Sequence, residues 1–155
     1  YIDLVQKIRN KIPDVSLTTD IMVGFPGETE EDFNEVLSLM NSILYENAFM
    51  YYYNLRDGTP AATRKDQIDL NVKKERLQKV IDLQLEITRR EMEKRIGKTA
   101  AVLAESVSKD NKSELLGKTE QDERVAFAAP ENLIGQFVQV KLEGLSGNTF
   151  RGSLI

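Results

Sequence analysis

The chain changes texture along its length, from apolar residues spaced three and four apart to short runs in which apolar and polar residues alternate. Leu4, Val5, Ile8 and Ile12 predict a helix over about residues 3–11 that stops ahead of Pro13. Residues 16–23 then read as a β-branched and apolar strand, closed by the turn Gly24-Phe25-Pro26-Gly27. Beyond the turn, Phe33, Val36, Leu37, Met40, Ile43 and Leu44 share one helical face, and Glu31, Asp32, Glu35 and Ser38 mark the other. Thr29, with Asp32 three residues on, supplies the capping box that starts this helix. Residues 48–53 are short and aromatic, which suits a second buried strand. Strand, helix and strand in that order favour a parallel pair, so both strands end on the same side of the sheet. Two strands and two helices are too few to close a barrel, and this α/β part reads as truncated.

A long helix is expected over residues 71–96, with Leu77, Val80, Ile81, Gln84, Leu85, Thr88, Met92 and Ile96 along its stripe and Gly97 as its stop. After Gly97 five short strands are expected, over about residues 98–106, 115–119, 124–128, 137–143 and 148–155, with a turn through 109–113. Such a set suggests a small closed or nearly closed β-barrel of a kind that often binds oligonucleotides. The expected organisation is an α/β part over 1–70, a linker helix over 71–96 and an all-β barrel over 97–155.

Composition narrows the chemistry. The sequence is 41% hydrophobic and 30% charged, ordinary for a globular chain. No apolar run approaches the roughly 20 residues that span a bilayer, and no basic-then-apolar leader is seen, so a cytoplasmic protein without membrane contact is expected. There is no cysteine and no histidine. This chain therefore cannot ligate an iron–sulfur cluster through thiolates, build a usual zinc site or run Cys–His or Ser–His chemistry. No catalytic residue and no metal ligand is assigned. The net charge of −4 argues against a uniformly basic nucleic-acid binder. Residues 71–96 are the locally basic element, with Lys73, Lys74, Arg76, Lys79, Arg89, Arg90, Lys94 and Arg95 against Glu75, Asp82, Glu86, Glu91 and Glu93. These cations either touch an anionic partner or form the solvated face of a connector.

The turn between the first strand and its helix is either a plain connection or one wall of a ligand site, because glycines let backbone come close and a helix start offers unpaired N–H groups. Asp20 near the end of the first strand and Arg56 in the loop after the second project toward the same mouth. A carboxylate there can take a ribose hydroxyl or an amine, and an arginine can take a carboxylate or phosphate; alternatively the two pair with each other. Tyr51, Tyr52 and Tyr53 either stack on a base or fill core. In the β part Lys109, Lys112, Lys118, Arg124, Lys141 and Arg151 are the candidate RNA-binding cations, scattered among acidic residues that include Glu105, Asp110, Glu114 and Asp122.

The run Thr19-Asp20-Ile21-Met22-Val23-Gly24-Phe25-Pro26-Gly27-Glu28-Thr29, followed by Tyr53-Asn54-Leu55-Arg56-Asp57-Gly58-Thr59-Pro60-Ala61, resembles the late part of the radical S-adenosylmethionine barrel of the methylthiotransferases. Ile96-Gly97-Lys98-Thr99, Leu116-Gly117-Lys118-Thr119 and Gly135-Gln136-Phe137-Val138-Gln139-Val140 are similar to the TRAM domain that ends those enzymes. Arg56 and the Asp-Ile after Thr19 resemble the MiaB type, which modifies an isopentenylated adenosine beside the tRNA anticodon. The branch that modifies a ribosomal protein usually carries an acidic residue near Arg56.

This resemblance implies a partial α/β barrel with parallel strands followed by a TRAM barrel. It also implies an S-adenosylmethionine site touched by Asp20, Met22, Gly24, Tyr53 and Arg56, and tRNA as the partner of the TRAM barrel. The full-length enzyme of this type carries two 4Fe-4S clusters, whose CxxxCxxC motif and second cysteine set are absent here, as are the early barrel strands. Asn54 stands where a serine is more usual. The expectation is a C-terminal fragment that needs the missing N-terminal part and is inactive alone, with a fragment dimer through the exposed sheet edge as a further expectation. The alternatives are a stand-alone RNA-binding TRAM module and a related methylthiotransferase acting on threonylcarbamoyl-adenosine or on a ribosomal protein.

Overall fold

The computed structural model describes residues 1–109 and 111–155. Its elements are α1 (Ile2–Lys11), β1 (Thr18–Val23), α2 (Glu30–Ile43), β2 (Asn47–Tyr52), α3 (Leu70–Glu93), β3 (Thr99–Val107), β4 (Glu114–Thr119), β5 (Arg124–Ala128), β6 (Phe137–Ser146) and β7 (Thr149–Leu154). Short 3-10 turns lie at Pro60–Thr63 and Glu131–Leu133. Two compact units form, Tyr1–Thr88 and Arg89–Ile155. The helix expected as a linker is thus largely part of the first unit, where Val80 and Ile87 are buried with Val23, Phe33 and Met40.

In the first unit β1 and β2 pair in parallel, with Asp20 beside Phe49 and Met22 beside Tyr51. Because side chains alternate across a strand, Ile21, Val23 and Ala48 face the helices and join Phe33, Met40, Val80 and Ile87 in one core. The opposite phase leaves Met22, Phe49 and Tyr51 about half exposed. Helix α2 begins with the expected reciprocal cap. The Asp32 N–H donates to Thr29 Oγ1 at 3.1 Å, and the Thr29 N–H donates to the Asp32 carboxylate at 2.8 Å. The Thr29 N–H and then the Thr29 hydroxyl, each donating to the Asp32 carboxylate at 2.8 Å, hold that carboxyl below its ordinary range. Helix α1 docks through Val5 onto Ile43 and Tyr45. Burial, and then a 2.6 Å hydrogen bond with the Tyr1 hydroxyl, push the Tyr45 phenol upward.

The second unit is a closed barrel in the order β3-β4-β5-β7-β6, with β6 returning to β3. All pairings are antiparallel except β5 with β7. Closure leaves no edge strand. Its interior holds Val102, Leu115, Val125, Phe127, Val140, Leu142 and Phe150, and Met92 from the end of α3 joins them. Each such large side chain contributes about 1.5–3 kcal/mol by leaving water. Bulges at Ala104/Ser106 and Leu142/Gly144 bend β3 and β6 around the barrel. The turn expected over 109–113 includes Asp110, which lies outside the described residues.

Candidate functional site

The carboxyl ends of β1 and β2 open into one concavity of about 610 Å³, lined by Asp20, Met22, Phe25, Tyr51, Tyr53 and Arg56 among others. Small-molecule sites have volumes of about 300–1,000 Å³. Four of the five residues expected around a cofactor are therefore brought together. Neither Asp20 nor Arg56 has an ion-pair partner among the described residues, so their charges are not spent on each other. Gly24 does not line the concavity. It is buried behind the turn with φ at +72°, and a Cβ there would lie 2.5 Å from Lys73 Cγ. Only glycine meets both demands.

Helix α3 holds the turn from behind. The Glu28 carboxylate accepts the Gly24 N–H at 2.9 Å and Arg76 Nη1 at 2.6 Å. The same guanidinium reaches the Glu28 carbonyl at 3.2 Å and the Glu30 carboxylate at 3.0 Å, and lies over the Phe33 ring at 5.3 Å. The Lys73 ammonium sits 5.0 Å from the centroid of the Tyr53 ring, and Phe25 meets that ring edge-on at 5.2 Å. Lys73 and Arg76 are only 8% and 6% exposed, so these two cations of the basic helix face inward. The outward cations Lys79, Arg89, Arg90 and Lys94 pair with carboxylates on the same helix or just beyond its end. Arg95 pairs with Glu123 of the barrel at 2.5 Å. Along this helix the positive charge is largely answered internally. Tyr53 carries a further signal: its buried hydroxyl has no hydrogen-bond partner among the described residues.

The barrel does not gather all six expected cations. Lys109 and Lys112 are exposed on the β3–β4 connection, and Arg151 pairs with Glu114 at 2.6 Å at that end of β4. Lys118 and Arg124 are direct partners across β4 and β5, at the other end of the same hairpin. Lys118 also contacts Asp122 at 2.5 Å, and that hydrogen bond, ahead of other charges, raises its ammonium pKa. Lys141 faces outward opposite Thr99. One residue was missed in the sequence: Phe137 is 72% exposed on β6. The signal was available in the alternation, since Phe137 shares its phase with Gln139 and Lys141 while Val138, Val140 and Leu142 take the other.

The second unit is a closed five-stranded barrel, and residues 93–155 match the TRAM domain family. The chain as a whole matches the C-terminal ~30% of the MiaB-type synthases. It is 47% identical, over 99% of its length, to the tRNA-2-methylthio-N(6)-dimethylallyladenosine synthase of Treponema denticola, of which it covers 35%. It is 44% identical over its full length to the proteins of that name from Geobacillus kaustophilus and Staphylococcus aureus strain Newman, covering 29% and 30% of them. The chain thus spans about a third of the length of these relatives. No helix among the described residues is long and apolar enough to cross a membrane.

Proposed function

We propose that this chain acts as part of a cytoplasmic tRNA methylthiotransferase that converts an isopentenylated adenosine beside the anticodon to its 2-methylthio form. The observation that carries the reading is the similarity, over the whole chain, to synthases of that activity. The concavity at the ends of β1 and β2 supports it as one wall of an S-adenosylmethionine site. Its donor set fits: Asp20 suits a ribose hydroxyl or an ammonium, Arg56 suits a carboxylate, and Met22, Phe25 and Tyr53 offer apolar surface to a purine. S-adenosylmethionine, when bound, supplies the methyl and radical chemistry; the residues here bind and orient it. Gly24, expected at the cofactor, serves instead to shape the turn.

Thiolate ligation of the 4Fe-4S clusters does not fit a chain without cysteine, so that part of the chemistry belongs to regions of such enzymes beyond the match. In this reading the chain alone does not catalyse. The open edges of the two-stranded β1–β2 sheet pair with strands of those regions or, in the isolated chain, with a second copy. The barrel holds tRNA through Lys118, Arg124 and Lys141, with Lys109, Lys112 and Arg151 as further phosphate contacts.

The test is a chimera in which this chain replaces the matching C-terminal region of the Treponema denticola synthase, expressed in a strain lacking its own enzyme. Mass spectrometry of digested tRNA should recover the 2-methylthio nucleoside, and Asp20→Ala with Arg56→Ala should lower the yield. A folded, cluster-loaded chimera that leaves only the isopentenyladenosine would overturn the proposal.

A further inference from the structure

Phe137 belongs to one row of outward side chains across the barrel. It is the partner of Leu103 across β6 and β3, Leu103 is the partner of Lys118 across β3 and β4, and Lys118 is the partner of Arg124 across β4 and β5. The Phe137 ring stands 72% in water at the first position of β6, while Val138, Val140 and Leu142 of the same strand take the inward phase. Its backbone is fixed on both sides. The β3–β6 ladder continues past it, with the Ala104 N–H donating to the Gln136 carbonyl at 3.0 Å and the Gly135 N–H to the Ala104 carbonyl at 2.8 Å. The ring therefore stands on a rigid platform.

By strand spacing the Lys118 and Arg124 backbones lie about 10 and about 15 Å from Phe137, within reach of phosphates flanking a base placed on the ring. Lys118 is held by Asp122, whose side chain is 79% exposed. An exposed pair of that kind adds little stability, so a phosphate can replace the carboxylate at small cost.

We propose that Phe137 stacks on a single unpaired RNA base while Lys118 and Arg124 take the adjoining phosphates. This rests on the RNA-binding reading of the barrel and adds its specificity: unpaired nucleotides over duplex.

The experiment uses the whole chain, with fluorescence anisotropy against an RNA hairpin bearing an unpaired loop and against the blunt duplex of its stem. Phe137→Ala should weaken hairpin binding about tenfold, in line with loss of one stacked base, and leave duplex binding and the salt slope unchanged. Phe137→Trp should restore affinity. Because the chain has no other tryptophan, its fluorescence reports the contact directly and should be quenched by saturating hairpin. Equal affinity of wild type and Phe137→Ala, or restored affinity without quenching in Phe137→Trp, overturns the stacking while leaving RNA binding intact. Failure of the wild-type chain to bind either RNA at low salt overturns both.

Discussion

The Arg76–Glu28 pair ties the turn at the end of β1 to α3, and its removal should cost more than any surface change in the first unit. The two side chains are 8% and 11% exposed and 2.6 Å apart, which places the pair inside the fold. Arg76→Met keeps the stem volume and removes the charge. Among the described residues, Glu28 then remains buried with only the Gly24 N–H to answer it. Stripping one partner from a buried pair costs about 3–5 kcal/mol. The remaining backbone donor favours the lower end, and the Glu30 arm adds little because that carboxylate is 62% exposed. A loss of about 3 kcal/mol shifts the folding equilibrium by more than a hundredfold. Urea unfolding followed by circular dichroism, with hydrogen exchange at Gly24 and Phe33 to assign the transition to the first unit, measures it. Glu28→Gln combined with Arg76→Met should recover part of the loss, since no unpaired charge remains. A cost below about 1 kcal/mol for Arg76→Met, or a double variant as unstable as the sum of the single ones, would refute the assignment of a buried, coupled pair.

Gly24→Ala should lower stability by about 1–2 kcal/mol or more, from the left-handed backbone and the contact with Lys73, measured as a depressed Tm. The Asp32 carboxyl is held below its ordinary 3.8, so its contribution is present above that value and fades as pH falls through the lower folded value. The stability gap between wild type and Asp32→Asn should therefore be full at neutral pH and close in acid below 3.8, as thermal melts across pH will show. Phe127→Ala, at a barrel position 1% exposed, should cost about 3–5 kcal/mol and abolish cooperative unfolding of the second unit while α2 amides stay protected.

Local signals determined much of this protein. The Thr29–Asp32 cap, the apolar face of α2, the two short strands and the five strands after Gly97 all follow from periodicity and turn residues, because each depends on neighbours a few positions away. The convergence of Asp20 and Arg56 was legible too, since parallel strands must end on one side. Only the tertiary structure decided which charges are spent. Lys73 and Arg76 look like surface cations in the sequence, yet Tyr53, Phe33 and Glu28, all distant in the chain, take them inward. Likewise β5 runs beside β7 in parallel and β6 closes onto β3, pairings that no local pattern specifies. Phe137, Leu103, Lys118 and Arg124 become one row through those long-range registers alone. Helix and strand formation is set by short-range sterics and side-chain alternation, whereas the partner of a charge or a strand is set by how the whole chain closes on itself.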